Sequence, residues 1–264
     1  MTSTNDTIES SIWRGGAAGK FVDYSVPRRA NQTVLDVVTW VQRHLDPTLA
    51  YRFACRVGMC GSCAMTVNGR PRWTCRTHVA GIAPGARLTI APLRNLPVIK
   101  DLACDMTAFF DKWAKARGYF VPGSSPTPRA EARNPLPPRE TATRMHYRAE
   151  GDFAVVRPDS RERQAADAGI ECIGCGVCYA ACDVVAWNAD YLGPAALNRA
   201  WTLVNDARDG AGAMRLAAVA GDAGCHACHS QQGCREHCPK HLNPTASIAG
   251  LKRAVTRAAL KGEL

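Results

Sequence analysis

The stretch ECIGCGVCYAAC, residues 171–182, decides the architecture of half of the chain, because it spaces four cysteines as C-x2-C-x2-C-x3-C. Thiolates at this spacing are typical ligands of iron–sulfur clusters, and in chains with two clusters the fourth cysteine binds the other cluster. We therefore expect Cys172, Cys175 and Cys178 to need a fourth ligand from elsewhere, while Cys182 serves a second cluster. The fold must bring another set of cysteines against this run.

A second run, CHSQQGCREHCP at residues 228–239, supplies such a set. Its spacing matches the first run, except that Gln231 stands where the second cysteine would be. By the same exchange of ligands, Cys238 completes the first cluster as [4Fe–4S], and the other two cysteines of the run join Cys182. The two runs together predict two neighbouring clusters in one domain.

The gap at Gln231 predicts the composition of the second cluster. Glutamine is a poor iron ligand beside sulfide and thiolate, so one corner of a cube would have no anchor. The expected product is a [3Fe–4S] cluster held by Cys182, Cys228 and Cys234. An alternative stays open, because Cys225 stands three residues before Cys228 and could fill that corner, which would make the cluster [4Fe–4S].

A third group of cysteines lies nearer the N-terminus, in ACRVGMCGSC at residues 54–63. Cys55, Cys60 and Cys63, with Cys75 further along, match the C-x4-C-x2-C…C spacing of plant-type [2Fe–2S] proteins. The small residues of this loop let it wrap a compact anionic cluster and point backbone N–H groups at the sulfurs. The alternative is a four-cysteine zinc site, but such sites usually pair two C-x2-C segments and this run has one.

Periodicity and turn residues predict a mixed first part and a helical second part. The predicted elements of the first part are, in order, paired strands at Ile12–Trp13 and 21–26, a helix at 33–44 that begins with a capping box, a hairpin at 64–75 that turns at Asn68-Gly69, a strand at 87–93 and a helix at 97–120. The Pro/Ser/Arg-rich segment 121–140 is predicted to be an exposed loop or linker. From about residue 165 the predicted structure is helical, with helices at 194–208 and from the Asn243 cap to about Lys261.

The chain has 264 residues, thirteen cysteines and a formal net charge of +10. The N-terminal stretch MTSTNDTIESSIW has no apolar run and no window is long enough for a membrane span, so we expect no secretory or mitochondrial address and no spanning segment. Reduced cysteines in a cytosolic compartment favour metal ligation over disulfides. The positive charge fits nucleic acid, anionic lipid or acidic protein partners, but its scattered arginines are typical of a generally basic surface.

Four stretches together resemble the iron–sulfur subunit of succinate dehydrogenase and fumarate reductase: YRFACRVGMCGSCAMTVNG (51–69), PVIKDLACDMTAFF (97–110), ECIGCGVCYAAC (171–182) and CHSQQGCREHCPKHLNPTASI (228–248). The resemblance implies an α+β chain with two cluster-binding domains. The implied domains are an N-terminal β-grasp [2Fe–2S] ferredoxin-like domain with a trailing helix (1–118), a Pro/Arg-rich connection (119–164), and a C-terminal all-helical two-cluster ferredoxin-like domain with [4Fe–4S] and [3Fe–4S] (165–264).

The resemblance also implies a function, namely an electron-transfer subunit of a succinate:quinone oxidoreductase that relays single electrons through the three clusters. Its partners would be a flavoprotein subunit with FAD, which holds the dicarboxylate site, and membrane anchor subunits with quinone. The chain would be cytoplasmic and peripheral on the inner face of the cell membrane, with no nucleic-acid partner. No G-x-G-x-x-G motif lies between a strand and a helix, so the flavin is expected on another chain.

Three residues match quinone-side positions of that family: Trp187, His229 and Lys252. Each also has a simpler interpretation, as a core aromatic, a solvated loop residue and an exposed helix charge respectively. The expected ligand sets leave two cysteines over. Cys104 is expected in a helix as a small buried apolar residue, and Cys225 is the alternative ligand described above.

Two other functions remain open from the sequence. The chain could be the iron–sulfur subunit of another flavin-dependent dehydrogenase or of a thiol-coupled fumarate reductase, and the identity of the flavoprotein partner would distinguish these. A zinc- or cluster-bearing nucleic-acid-binding protein would instead contain zinc and bind DNA or RNA with a steep salt dependence. Within the resemblance itself, YAAC and CPKH look reductase-like and Trp187 looks dehydrogenase-like, so the direction of the reaction is open.

Overall fold

The computed structural model of the chain describes residues 7–82, 87–123, 156 and 158–264. The first part contains the elements β1 (Thr7–Arg14), β2 (Lys20–Pro27), α1 (Val34–His44), β3 (Ala64–Val67), β4 (Arg70–Trp73) and β5 (Leu88–Ala91). The strands form one sheet in the order β2-β1-β5-β3-β4, in which β1 and β5 run parallel and the other neighbours antiparallel. A mixed sheet with one helix packed on it is the predicted β-grasp arrangement.

Helix α1 builds the core of this part because its buried face is made mainly of valines, which pack with inward-facing aliphatic residues of the sheet. The Thr33 hydroxyl accepts a hydrogen bond from the Asp36 N–H, and the Asp36 carboxylate accepts one from the Thr33 N–H at 3.0 Å. This reciprocal pair confirms the predicted capping box. The hairpin of β3 and β4 is also confirmed, since Asn68 and Gly69 turn the chain with φ of 48° and 76°.

The prediction of one helix at 97–120 is wrong. That segment contains β6 (Val98–Lys100), β7 (Ala103–Cys104) and only then α2 (Thr107–Lys115). Asp101 turns the chain with a φ of 53°, and its buried carboxylate accepts hydrogen bonds from the backbone N–H groups of Gly15 and Ala50 at 2.7 and 2.8 Å. These long-range bonds override the apolar helical period of the segment. Cys104 therefore lies in a strand rather than a helix, although it is buried as expected.

The second part is helical, as predicted. Its helices are α3 (Arg161–Ile170), α4 (Val177–Ala180), α5 (Asp183–Trp187), α6 (Pro194–Val204), α7 (Gly212–Ala220), α8 (Gly233–Glu236) and α9 (Pro244–Leu260). The Asn243 side chain caps α9 as predicted, and Gly262 follows the end of this helix with a φ of 68°. Helix α6 ends at Val204 instead of residue 208. None of the described helices is long and apolar enough to cross a membrane.

The predicted linker 121–140 begins inside a fixed junction between the two parts. The backbones of residues 121–123 and 208–210 are hydrogen-bonded as a short antiparallel bridge. The fully buried Arg215 guanidinium pairs with Asp209 at 2.6 Å and donates to two backbone carbonyls at the end of the first part. The remainder of the linker prediction, residues 124–140, lies outside the described residues.

Candidate cluster sites

The loop that carries Cys55 and Cys60 directs backbone N–H groups at sulfur. The N–H groups of Met59 and Cys60 donate to Cys55 Sγ at 3.2 and 3.3 Å, and the Cys55 N–H donates to Cys60 Sγ at 3.5 Å. The loop closes this tightly because Gly58 and Gly61 adopt φ of 74° and 70°, a region open to glycine at little cost. The inward N–H groups expected from the sequence are therefore present.

The four cysteines of this first site differ in their surroundings. Hydrogen bonds from the Cys55 backbone and then from the Ser62 side chain lower the pKa of the exposed Cys60 thiol to about 6. Cys75 arrives on a 3-10 turn after β4, and its N–H donates to Cys63 Sγ at 3.5 Å. Burial, followed by the nearby Cys63 thiol, raises the pKa of Cys75 to about 12. A thiolate at Cys75 therefore needs a positive partner, which iron would supply.

A cavity in the second part gathers cysteines from both runs. Its lining includes Cys172, Cys175 and Cys178 from the first run and Cys238 from the second, the set that the ligand exchange predicts for one cluster. Burial raises the pKa of Cys175 to about 12 and that of Cys178 well above its ordinary value. The site therefore disfavours isolated thiolates, and a set of four thiols fits a thiophilic metal such as the iron of a cluster.

The remaining cysteines of the two runs form a third group around Tyr191. Burial raises the pKa of Cys182 and of Cys234, and the neighbouring Cys228 thiol raises both further. Burial also raises the pKa of Tyr191, and the next contributions come from these same three thiols. The Ser230 N–H lies 3.4 Å from Cys228 Sγ, so a backbone N–H is directed at sulfur here too.

The two residues that bear on the open corner of this third group lie in opposite environments. Gln231 is exposed to solvent. Cys225 is completely buried in the hydrophobic core of the second part, on a 3-10 turn that leads into Cys228. Burial raises the pKa of the Cys225 thiol, with the positive charge of Lys252 acting in the opposite direction.

The three groups of cysteines follow one another in space. A Cβ atom at Gly61, in the loop of the first group, would lie 2.5 Å from Cys175 Cβ, so the first and second groups share a tight backbone contact. Cys234 of the third group is near enough to Cys178 to contribute to the raised pKa of its thiol, after burial, Cys175 and Cys172 and ahead of Cys238. The second group is therefore the middle one.

The three residues suggested by the resemblance lie together beside the third group. The Trp187 and His229 rings are edge to face with their centres 6.3 Å apart, and Lys252 Nζ donates to the Cys228 backbone carbonyl at 2.7 Å. The indole is 67% exposed, which excludes the simpler interpretation of Trp187 as a core aromatic. An exposed tryptophan beside a histidine and a lysine offers an apolar face with hydrogen-bond donors at its edge.

Sequence reasoning missed Asn95, which belongs to the first part but supports the second. Its side-chain NH2 group donates to the carbonyls of Tyr179 and Cys182 at 3.0 and 3.1 Å, where helix α4 ends. These bonds tie the first part of the chain to the turn between the second and third groups. The only signal in the sequence was an asparagine able to adopt its φ of 64°, and nothing nearby indicated its partners.

Among the residues that the structure describes, no three His, Cys, Asp or Glu side chains converge closely enough to hold one metal ion.

Comparisons with known proteins agree with these sites. The family of 2Fe-2S iron-sulfur cluster binding domains matches residues 11–111, and the family of 4Fe-4S dicluster domains matches residues 171–243. The fumarate reductase iron-sulfur subunit of Mycobacterium tuberculosis is 35% identical over 93% of this chain and 90% of its own length. The succinate dehydrogenase iron-sulfur subunit of Paracoccus denitrificans is 34% identical over 88% of this chain and 78% of its own length. A chain in the Mycobacterium smegmatis Sdh1 complex in the apo form superposes with a TM-score of 0.74 at 26% identity, covering 95% of this chain and 96% of its own.

Proposed function

The chain belongs to the family of iron–sulfur subunits of succinate dehydrogenase and fumarate reductase, and on that premise we propose that it relays single electrons between the FAD of a flavoprotein subunit and a membrane quinone. The proposed ligand sets are Cys55, Cys60, Cys63 and Cys75 for [2Fe–2S], Cys172, Cys175, Cys178 and Cys238 for [4Fe–4S], and Cys182, Cys228 and Cys234 for [3Fe–4S]. The proposed location is peripheral, on the cytoplasmic face of the cell membrane beside an anchor subunit. The proposal covers both directions of the reaction.

The observation that carries this proposal is that the second cysteine group adjoins both the first and the third. Contact between Gly61 and Cys175 joins the first group to the second, and Cys178 lies near Cys234 of the third. A relay between a two-electron flavin and a two-electron quinone needs one-electron carriers in a row, which is the chemistry that the bound clusters would supply. The chain's own residues would determine the order of these carriers and the reduction potential of each one.

Those residues act in three ways. Backbone N–H groups directed at Cys55 and Cys228 would stabilise negative charge on the sulfurs. Burial of the middle cysteines would exclude water from their cluster. Asn95 would hold the turn between Cys178 and Cys182, so that the second and third sites keep a fixed separation.

We assign the quinone end to the third group. Trp187, His229 and Lys252 meet around Cys228, and the exposed indole supplies a flat apolar surface for a quinone ring. The Lys252 ammonium and the His229 imidazole are hydrogen-bond donors that could meet a quinone oxygen. Replacing Trp187 by leucine in the assembled complex should raise the KM for quinone while leaving the EPR signals of the clusters in place.

The test of the cluster assignment is low-temperature EPR of the anaerobically purified complex, oxidised and reduced by dithionite. We expect a three-iron signal in the oxidised state, and fewer irons than acid-labile sulfides per chain. Gln231→Cys supplies the absent thiolate, so it should abolish the three-iron signal and make the iron and sulfide contents equal. An oxidised wild-type complex without a three-iron signal but with equal iron and sulfide would overturn the assignment.

Cys225→Ala separates the two interpretations of the third cluster. Cys225 is buried among apolar side chains, so alanine fits there and leaves only a small cavity. If the proposed ligand set is correct, the three-iron signal persists in Cys225→Ala. If Cys225 is a ligand, the wild type carries a four-iron cluster, and only the alanine variant acquires the three-iron signal.

A further inference from the structure

Lys112 is a charged residue in the interior, where helix α2 of the first part meets helix α4 of the second. It is only 7% exposed. Its Nζ donates a hydrogen bond of 2.8 Å to the Tyr179 hydroxyl, a neutral group. Among the residues that the structure describes, no carboxylate forms an ion pair with Lys112. The ammonium also lies over the Tyr179 ring, 5.0 Å from its centre. A buried ammonium whose hydrogen-bond and ring partners are both neutral is costly, and a negative charge nearby would stabilise it.

The surroundings of Lys112 show where that charge would be. Tyr179 directly follows Cys178, which lines the middle cavity. The Phe109 ring, one turn before Lys112, meets the Tyr179 ring edge to face at 5.4 Å between centres. At the start of α2, Met106 Cε would lie 3.2 Å from a Cβ atom at Gly176, which also lines the cavity. Helix α2 therefore packs along the cysteine run that would hold the [4Fe–4S] cluster.

We propose that Lys112 is the buried counter-charge of this middle site and raises the reduction potential of the [4Fe–4S] cluster. The inference rests on the proposed function, because it needs a cluster on Cys172, Cys175, Cys178 and Cys238. Four thiolates around a cluster make the site negative, and each added electron makes it more so. A fixed positive charge stabilises the reduced form more than the oxidised form, and in the protein interior this attraction is only weakly screened.

Lys112 would therefore be a positioning residue that acts on the potential of the middle carrier, without touching substrate. The test is a redox titration of the assembled complex followed by EPR. Lys112→Met removes the charge at nearly constant volume and should shift the midpoint potential of the four-iron signal downward. The shifts of the two-iron and three-iron signals should be smaller. Lys112→Arg, which keeps the charge, should stay near the wild-type potential.

Two further variants make the result decisive. Lys115→Met removes an exposed lysine from the same helix and should leave all three potentials in place, because solvent screens that charge. Lys112→Gln is a second neutral variant that retains an N–H donor on this side chain, and it should shift the potential as Lys112→Met does.

The outcomes separate this inference from the function on which it rests. If the wild-type complex shows no four-iron signal, the proposed cluster set fails. If that signal is present and stays at the same potential in Lys112→Met, the counter-charge inference is wrong. Equal shifts in Lys112→Met and Lys112→Arg would also overturn it, because they would show an effect of packing. If the neutral variants assemble no four-iron cluster while Lys112→Arg does, the inference is also wrong, because Lys112 would then have only a structural role.

Discussion

Cys60 in the first cysteine group and Cys175 in the second lie in opposite environments, one that favours negative charge on sulfur and one that disfavours it. In the first group Cys60 is exposed, and neighbouring hydrogen bonds lower the pKa of its thiol to about 6. In the second group Cys175 lies in a buried cavity, and burial raises the pKa of its thiol to about 12. The first loop thus favours a thiolate at Cys60 before any metal binds, while Cys175, like the buried Cys75, would need iron to become a thiolate at neutral pH. This difference predicts which half of the chain depends on its cluster for structure.

The largest effect should come from removing a buried ligand. Cys178→Ser leaves a hydroxyl and an unfilled cavity in the core of the second part, so we expect loss of the four-iron signal and of a protease-resistant second part. Cys60→Ser changes an exposed loop, so it should alter only the two-iron signal. Iron content and limited proteolysis of both variants test the contrast. A Cys60→Ser chain whose second part is also degraded would show that the two sites are not independent.

The next effect tests the contact between the two groups. Gly61→Ala must adopt a φ of 70° and must also move its Cβ atom away from Cys175, so we expect it to destabilise the protein by more than about 2 kcal/mol. Gly69→Ala is the matched control, because its φ of 76° imposes the same strain and no atom lies within 4 Å of its Cβ. That variant should cost about 1–2 kcal/mol. The two variants can be compared by heating each one and recording the temperature at which the visible absorption of the clusters is lost. Equal temperatures would show that the contact between Gly61 and Cys175 does not contribute to stability.

A third comparison concerns buried charge at the junction of the two parts. Arg215→Met leaves Asp209 buried and unpaired, so we expect a loss of about 3–5 kcal/mol in the free energy of unfolding. Arg163→Met removes the partner of Asp167 on α3, in a pair whose side chains are 26% and 48% exposed, and should cost no more than about 1 kcal/mol. Chemical denaturation of both variants measures the difference. Similar small losses would show that the buried pair does not hold the parts together.

The smallest effect should be an acid sensitivity confined to the first part. Hydrogen bonds from Thr48, and then the Arg14 guanidinium, lower the pKa of Asp46 below its ordinary value of 3.8. Because the folded pKa is the lower one, this stabilisation is complete above pH 3.8 and is lost as the pH falls toward the folded pKa. At neutral pH, Asp46→Asn should therefore lower the free energy of unfolding by less than about 1 kcal/mol, which lowers the melting temperature slightly. The difference in melting temperature between the variant and the wild type should disappear at acidic pH. A difference that does not change with pH would contradict this account.

The sequence predicted the features that local chemistry determines. The capping box at Thr33, the Asn68-Gly69 turn and the Asn243 cap depend on residues within a few positions, and all three are present. The composition of the middle cavity also followed from spacing, since ligand exchange requires Cys238 to reach the first run. In each case a short sequence pattern is sufficient for the prediction, because that pattern has one low-energy conformation or one consistent pairing of cysteines.

Features that depend on distant partners could not be predicted. The helix expected at 97–120 gave way to two strands because Asp101 bonds to Gly15 and Ala50, which no local pattern announces. Asn95 and Lys112 were missed for the same reason, because their partners Tyr179 and Cys182 lie in the other part of the chain. The error at Cys104 concerned its secondary structure only, and its burial was correct because that follows from residue type.

If the cysteines that line the middle cavity bind one cluster, their positions in the chain also determine when that cluster can form during synthesis. Cys238 is made 66 residues after Cys172, so a nascent chain presents three thiols of the middle set long before the fourth exists. In the proposed ligand set, the four-iron cluster can be closed only after helix α8 has left the ribosome. A chain that stalls earlier would expose free thiols and an unformed core together, and both are features by which chaperones and proteases recognise unfinished proteins.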